Sequence, residues 1–318
     1  MSRSLQHSIV ALGLSFLVTA CAGARRAPVT APTADGVPIT TRRVVSGATG
    51  QTVPFAQMAD AAAKVDVVFF GEAHDDEETH RAELALLAAV GERRTKVVLS
   101  LEMFERDVQP VLDSYLAGRI TEAEFREQSR PWPNYAADYR PMLELARAKG
   151  WPVIAANVPR RLASMVSRRG LASLDSLPPA DRALAARDIE CPKDQYYRNF
   201  VDVMGGGHGG AAGSDGAAGS MDAMMDQFYQ AQCLKDETMA ESIVAARAKA
   251  GTDAIVVHVT GAFHSDQGLG TVSRVTRRSS GVKGLVVSAV PTADPAREPA
   301  AEYLARGQFI IFALRIKP

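Results

Sequence analysis

The chain has 318 residues, with Lys+Arg and Asp+Glu balanced at 36 each and a formal net charge of zero. That balance supplies no basic surface for nucleic acid, which needs a marked excess of Lys and Arg. A chain of this length can bury a sizeable core, as one large domain or two.

Residues 1–20 read as an export signal rather than as structure. Arg3 precedes a short apolar stretch, residues 9–18, well under the ~20 apolar residues that cross a bilayer. Leu17-Val18-Thr19-Ala20-Cys21 resembles a bacterial lipobox, so that cleavage leaves Cys21 as a lipidated first residue. Ala22 rather than Asp follows it, the sorting pattern expected for an outer-membrane lipoprotein facing the periplasm. Such a protein is anchored to the membrane but otherwise soluble. Residues 21–41, rich in Ala, Pro and Thr, read as a flexible tether, which leaves 42–318 as the folded part.

Residues 42–55 read as a short hairpin around Gly47 and Gly50, followed by a helix over 56–64. Strands and helices then alternate. Apolar runs at 65–70, 97–103, 153–157, 254–259, 285–290 and 309–316 predict strands buried on both faces. Helical stretches fall between them, including 77–90 and 139–149, the latter stopping at Gly150. This alternation predicts an α/β fold, an open and mostly parallel sheet with helices on both faces. Two insertions without strands, 106–150 and 160–252, predict an all-helical cap over the strand ends, the two packing together. Residues 224–250 read as one long helix. Before it, Met204 to Gly219 holds eight Gly and four Ala, a loop that is either simply mobile or ordered by a ligand through His208. Cys191 and Cys233, an even pair in an exported chain, are expected to form a disulfide.

Two tetrapeptides some 190 positions apart match each other: Gly71-Glu72-Ala73-His74 and Gly261-Ala262-Phe263-His264. Each follows a predicted strand, and in an open parallel sheet the carboxyl ends of the strands form the ligand crevice. The second strand delivers Glu102 there, and the third delivers Asn157 followed by Arg160. Glu72, His74, Glu102 and His264, two carboxylates and two histidines, could bind a divalent metal or act as an acid/base set. His80, six residues after His74, is expected at the surface, and His258 in a strand interior as a core histidine. Trp132, Tyr135 and Tyr139, and Tyr196, Tyr197 and Phe200, are expected to pack in the core or to wall a flat aromatic ligand.

Several segments resemble the ChaN-like haem-binding lipoproteins. They are Val68-Phe69-Phe70-Gly71-Glu72-Ala73-His74, Leu101-Glu102-Met103-Phe104, Trp132-x-x-Tyr135-x-x-x-Tyr139-Arg140-Pro141, Ala155-Ala156-Asn157-Val158-Pro159-Arg160 and Ala231-Gln232-x-x-x-Asp236-Glu237-x-Met239-Ala240. The likeness covers roughly residues 40–290. It implies a homodimer that holds haem between protomers and serves bacterial iron uptake. Under it the cofactor-contacting candidates are His208, Tyr135, Tyr139, Asn157 and Arg160. The same likeness extends to the Tiki metalloproteases and erythromycin-esterase-like proteins, in which the positions matching His74, Glu102 and His264 serve metal binding or hydrolysis. The alternative it implies is therefore a hydrolase dependent on a divalent metal such as Mn or Co.

Overall fold

The computed structural model describes residues 40–206 and 215–315. The expected signal, Cys21, residues 22–39 and His208 lie outside them. In chain order the elements are β1 (Arg42–Ser46), α1 (Phe55–Ala62), β2 (Val67–Glu72), α2 (Glu77–Arg93), β3 (Val97–Glu105), α3 (Gln109–Leu116), α4 (Glu122–Ser129), α5 (Arg140–Lys149), β4 (Val153–Asn157) and α6 (Arg160–Arg169). There follow α7 (Pro179–Arg182), α8 (Gln195–Gly206), α9 (Asp215–Ala250), β5 (Ile255–Gly261), α10 (Gly270–Arg278), β6 (Gly284–Thr292) and β7 (Phe309–Leu314).

The seven strands form one sheet in the order β1-β7-β6-β2-β5-β3-β4. Every neighbouring pair is parallel except β1 with β7. The hairpin expected over residues 42–55 is reduced to a single bridge, Val45 to Thr52. β7 instead takes the main-chain groups of β1, from Arg42 opposite Ala313 to Ser46 opposite Phe309.

Side chains alternate between two buried faces, as a parallel sheet requires. Val68, Phe70, Leu99, Leu101, Val257 and Val259 enter one cluster with α2, α3 and α5 residues such as Leu86, Leu112 and Leu143. Val67, Phe69, Val98, Val256 and Val286 enter another with Ala240 and Ile243 of α9 and Val275 of α10. Each such side chain contributes about 1.5–3 kcal/mol on burial.

Local signals set the helix ends. Asp76 caps α2 by accepting from the Thr79 amide at 2.8 Å. Thr121 and Glu124 form a reciprocal capping box at α4. The two insertions go to different cores: Tyr115, Phe125 and Tyr135 join the α2 side, while α6, the residues around α7, and α9 build a separate cluster with Leu162, Val166 and Leu234. A polar contact joins the two insertions. Arg106 donates to Thr238 O, Glu241 and Ser242.

β4 is an edge strand. The Gln109 side chain lies along it, accepting from Ala155 N at 2.7 Å and donating to Val153 O at 2.9 Å.

Candidate functional site

β2 and β5 are neighbours in register, with Gly71 opposite Thr260 and Glu72 opposite Gly261. The two matched tetrapeptides therefore leave the sheet side by side. Their glycines are the points of closest approach. A Cβ on Gly261 would lie 2.7 Å from His74 Nε2, and one on Gly71 would lie 2.9 Å from Ala262 Cα and 2.6 Å from Ser265 Oγ. Each glycine thus makes room for the turn that carries, or is, the other strand's histidine element.

His264 is buried and held on both sides. Its Nδ1 is 2.8 Å from Asp236 Oδ1, and its Nε2 is 3.4 Å from Glu102 Oε1. Asp236 also accepts from Thr271 Oγ1 and Tyr196 OH, both at 2.8 Å. Glu102 accepts from Thr260 Oγ1 at 2.6 Å and from Gly261 N at 2.8 Å. Burial opposes the charged imidazolium, but the Glu102 and Asp236 carboxylates outweigh it and raise His264 to about 10. Burial likewise opposes ionisation of Glu102, yet His264 holds it well below the usual carboxylate range.

His74 is the exposed member, with 42% of its side chain accessible. Its Nδ1 contacts Glu72 Oε1 at 2.5 Å, and its ring stands edge-on to Trp132 at 4.8 Å between centroids. Tyr139 OH donates to the same Glu72 oxygen at 2.8 Å. Burial works against the Glu72 charge, but hydrogen bonds from His74 and His80 hold it down at about 2. Burial lowers His74, and the bond to Glu72 together with the Glu102 and Glu72 charges outweighs it, so that it ends above its ordinary value.

His80 is not at the surface as expected; only 3% of it is exposed. The Asp76 cap turns α2 back on β2, so its first turn places His80 Nδ1 3.2 Å from Glu72 Oε2 and 3.3 Å from Glu83 Oε2. Among the described residues, one group of metal-capable side chains brings its donor atoms within 4.8 Å of one another, and it is Glu72, His80 and Glu83. His74, Glu102 and His264 are not that group.

The remaining expected residues fall in different places. Tyr135 is fully buried, its ring against Phe104 and Phe125. Tyr139 is fully buried with its hydroxyl given to Glu72. Asn157 is buried and accepts from Val158 N. Arg160, the first residue of α6, is exposed and lines a cleft of about 630 Å³ with Trp132, Pro133, Arg130 and Arg161. Cys191 and Cys233 are joined in a disulfide, with Cα atoms 5.5 Å apart, inside an aromatic cluster of Tyr196, Phe200 and Tyr229. His258 is fully buried, its Nδ1 3.0 Å from Ser100 Oγ. No helix of the described residues is long and apolar enough to cross a membrane.

The roles of Asp236, Gln232, Tyr196 and Glu83 were not evident from residue type. Gln232 Nε2 sits 3.2 Å from His264 Nδ1 and 3.0 Å from Tyr196 OH. Gln232 and Asp236 already stood in the motif from Ala231 to Ala240, one helical turn apart, but their partners did not; Asp236, Glu237 and Thr238 prove fully buried on α9.

A solved structure of cofacial haem binding to ChaN of Campylobacter jejuni superposes with a TM-score of 0.62 at 15% identity, covering 86% of this chain and 98% of that one. An erythromycin esterase mutant in its open conformation gives a TM-score of 0.46 at 11% identity, covering 87% of this chain and 84% of that one. Protein RETICULATA-RELATED 5, chloroplastic, from Arabidopsis thaliana is 24% identical over 260 residues, or 75% of this chain; the match spans only 33% of that relative's length. The model of the haem-binding uptake family of the Tiki superfamily, ChaN, matches residues 58–275. The chain belongs to the ChaN family of haem-binding uptake proteins in the Tiki superfamily.

Proposed function

We propose that the protein binds haem as cargo at the carboxyl ends of the strands and serves haem or iron acquisition. The observation that carries this reading is the family match over residues 58–275. The residues present fit such a ligand. Val203, Met204, Met221 and Met224 are apolar, yet 36–64% exposed, on the stretches of α8 and α9 that flank residues 207–214. Exposed apolar side chains of this kind mark a binding surface, and methionines adapt to an irregular one. The strand-end cleft falls within the ~300–1,000 Å³ of small-molecule sites. Trp132 offers it an aromatic wall. Arg160, without an ion pair among the described residues, is available to a ligand carboxylate. Haem, when bound, would supply an iron centre. His208 is a proposed donor, and the protein's part is to orient the macrocycle and shield it from water.

The proposal extends to a lipoprotein anchored through Cys21 in the outer membrane, facing the periplasm, and to a homodimer that shares the ligand.

A hemin titration of the full chain, followed in the Soret region, tests the reading. A saturable shifted band at low micromolar hemin, weakened by Arg160→Ala or by Met221→Ser with Met224→Ser, supports it. A non-saturating change, equal to that of an unrelated apolar protein, sinks it.

A second reading has its own observation. His74 and His264 are each held by carboxylates at adjacent strand ends. A hydrolase would use Glu72, His74, Glu102 and His264, with exposed His74 as general base. Ester or peptide turnover dependent on added Mn or Co, lost in Glu102→Ala and His264→Ala, would favour it.

A further inference from the structure

The Glu72, His80 and Glu83 cluster lies behind the strand-end histidines and plays no part in the haem reading. Its three side chains are at most 3% exposed. His80 Nε2 faces the His74 main-chain carbonyl at 3.3 Å and the Asp138 carboxylate at 3.5 Å. Both partners are acceptors, so Nε2 carries a proton. Burial opposes the charge of the ring, but the bonds to Glu72 and Glu83 raise it to about 11, so Nδ1 donates to these carboxylates until a cation displaces its proton and takes the lone pair. With that proton gone, three lone pairs converge on one buried point. Both carboxylates are buried; the Glu83 Oε1 atom has no hydrogen-bond partner, and Glu72 Oε2 has only the approach of His80 Nδ1 at 3.2 Å. A buried oxygen without a partner is rare in a folded chain and calls for a proton or a cation.

We propose that Glu72, His80 and Glu83 bind one divalent transition cation, such as Zn²⁺ or Mn²⁺, between α2 and the end of β2. Separations of 3.2–3.3 Å from Nδ1 to the two carboxylate oxygens match the roughly 3.0–3.5 Å edges of a coordination shell with ligands at ~2.1 Å. Two carboxylate ligands and one imidazole suit a hard or borderline ion rather than a soft one. The supporting shell also has the form of a metal site. A ligating histidine normally gives its other N–H to a carbonyl or carboxylate. His80 does so, and Asp138 is itself held by Asn134 Nδ2 at 2.8 Å. Glu72 is fixed through its other oxygen by Tyr139 and His74, which leaves Oε2 turned to the cluster. The cation would therefore sit one carboxylate away from His74 and fix the orientation of Glu72 beneath it. This assignment is independent of whether the protein binds haem.

The full chain, stripped with EDTA and checked for folding by circular dichroism, is titrated separately with Zn²⁺ and Mn²⁺ by calorimetry. The bound metal is then counted by elemental analysis. One equivalent per chain is expected, with affinity reduced at least tenfold in both Glu83→Gln and His80→Gln and kept in His264→Ala. Glu83→Gln preserves shape, so it remains informative if His80→Gln fails to fold. With Co²⁺ as probe, the visible d–d bands of the wild type should be absent in Glu83→Gln. No saturable binding of any of these metals overturns the proposal. So does binding that survives Glu83→Gln and is lost in His264→Ala, which would move the metal to the strand-end histidine.

Discussion

His264 lies between two buried carboxylates, with Nδ1 2.8 Å from Asp236 and Nε2 3.4 Å from Glu102. Asp236 comes from the middle of α9 and Glu102 from β3, so the long helix and the sheet meet at this imidazole. Asp236→Asn keeps the shape and removes one charge. Because His264 is raised to about 10 in the fold, its charge contributes stability fully below the unfolded value near 6.5, and that contribution is lost as pH rises through about 10. The wild type should therefore exceed Asp236→Asn in Tm most at pH 6, with the gap narrowing toward pH 10. NMR titration should show the His264 resonance moving at lower pH in the variant. An unshifted resonance would refute this account.

Gly71 and Gly261 allow the two tetrapeptides to nest. Gly261→Ala drives a methyl group into the His74 ring, which can swing outward because it is exposed. Gly71→Ala meets main chain at Ala262, which cannot move so freely. Gly71→Ala is expected to cost about 1–3 kcal/mol in urea unfolding and Gly261→Ala less, in line with overpacking. Gly261→Ala should instead break the Glu72–His74 pair, visible as a fall in the His74 pKa by NMR. Equal stability losses in the two variants would contradict this.

His258 is a buried neutral base. Burial is the main cause that lowers it to about 4. With an unfolded value near 6.5, the unfolded chain binds the extra proton between pH 6.5 and 4. Stability contributed by keeping it neutral is present above 6.5 and lost as pH falls through that window, by up to about 3 kcal/mol. His258→Val should flatten the acid side of the stability curve measured by urea unfolding from pH 7 to 4. An unchanged slope would show that His258 does not set it.

Glu237, fully buried on α9, receives Arg277 at 2.6 Å and Arg278 at 2.7 Å, both on α10, and the amide of Glu190 at 3.2 Å. Glu237→Gln removes the charge shared by Arg274, Arg277 and Arg278, leaving Arg277 with Glu190 and Arg278 with Glu241. A loss of about 1–3 kcal/mol is expected in chemical denaturation, the cost of the charge-assisted hydrogen bonds that are lost. A loss under about 1 kcal/mol would mean that water and the remaining carboxylates satisfy these arginines.

The strands were legible because both faces of the sheet are buried, which writes them as unbroken apolar runs; β4 ends at Asn157 in sequence and structure alike. Glu102 and His264 could be paired from residue order alone, since strand ends in a parallel sheet converge. His80 could not be placed. Its position depends on the turn made by Ala73 to Asp76, and a spacing of six residues describes a helix face only if both residues are on the helix. His74 precedes α2, so the rule did not apply. Asp236 was hidden for the opposite reason. It lies in a helix that is polar enough to pass for solvent-facing, and only the tertiary fold shows that this polar turn is the buried one.

Gln109 has a consequence for assembly. By accepting from Ala155 N and donating to Val153 O, its side-chain amide stands in for the strand that would otherwise continue the sheet past β4. An exposed edge is a template on which identical chains stack into fibrils. Here one side chain acts as the stop codon of that template. Gln109→Ala would leave the fold standing but open the border to recruitment, so the wild-type residue guards solubility at high concentration.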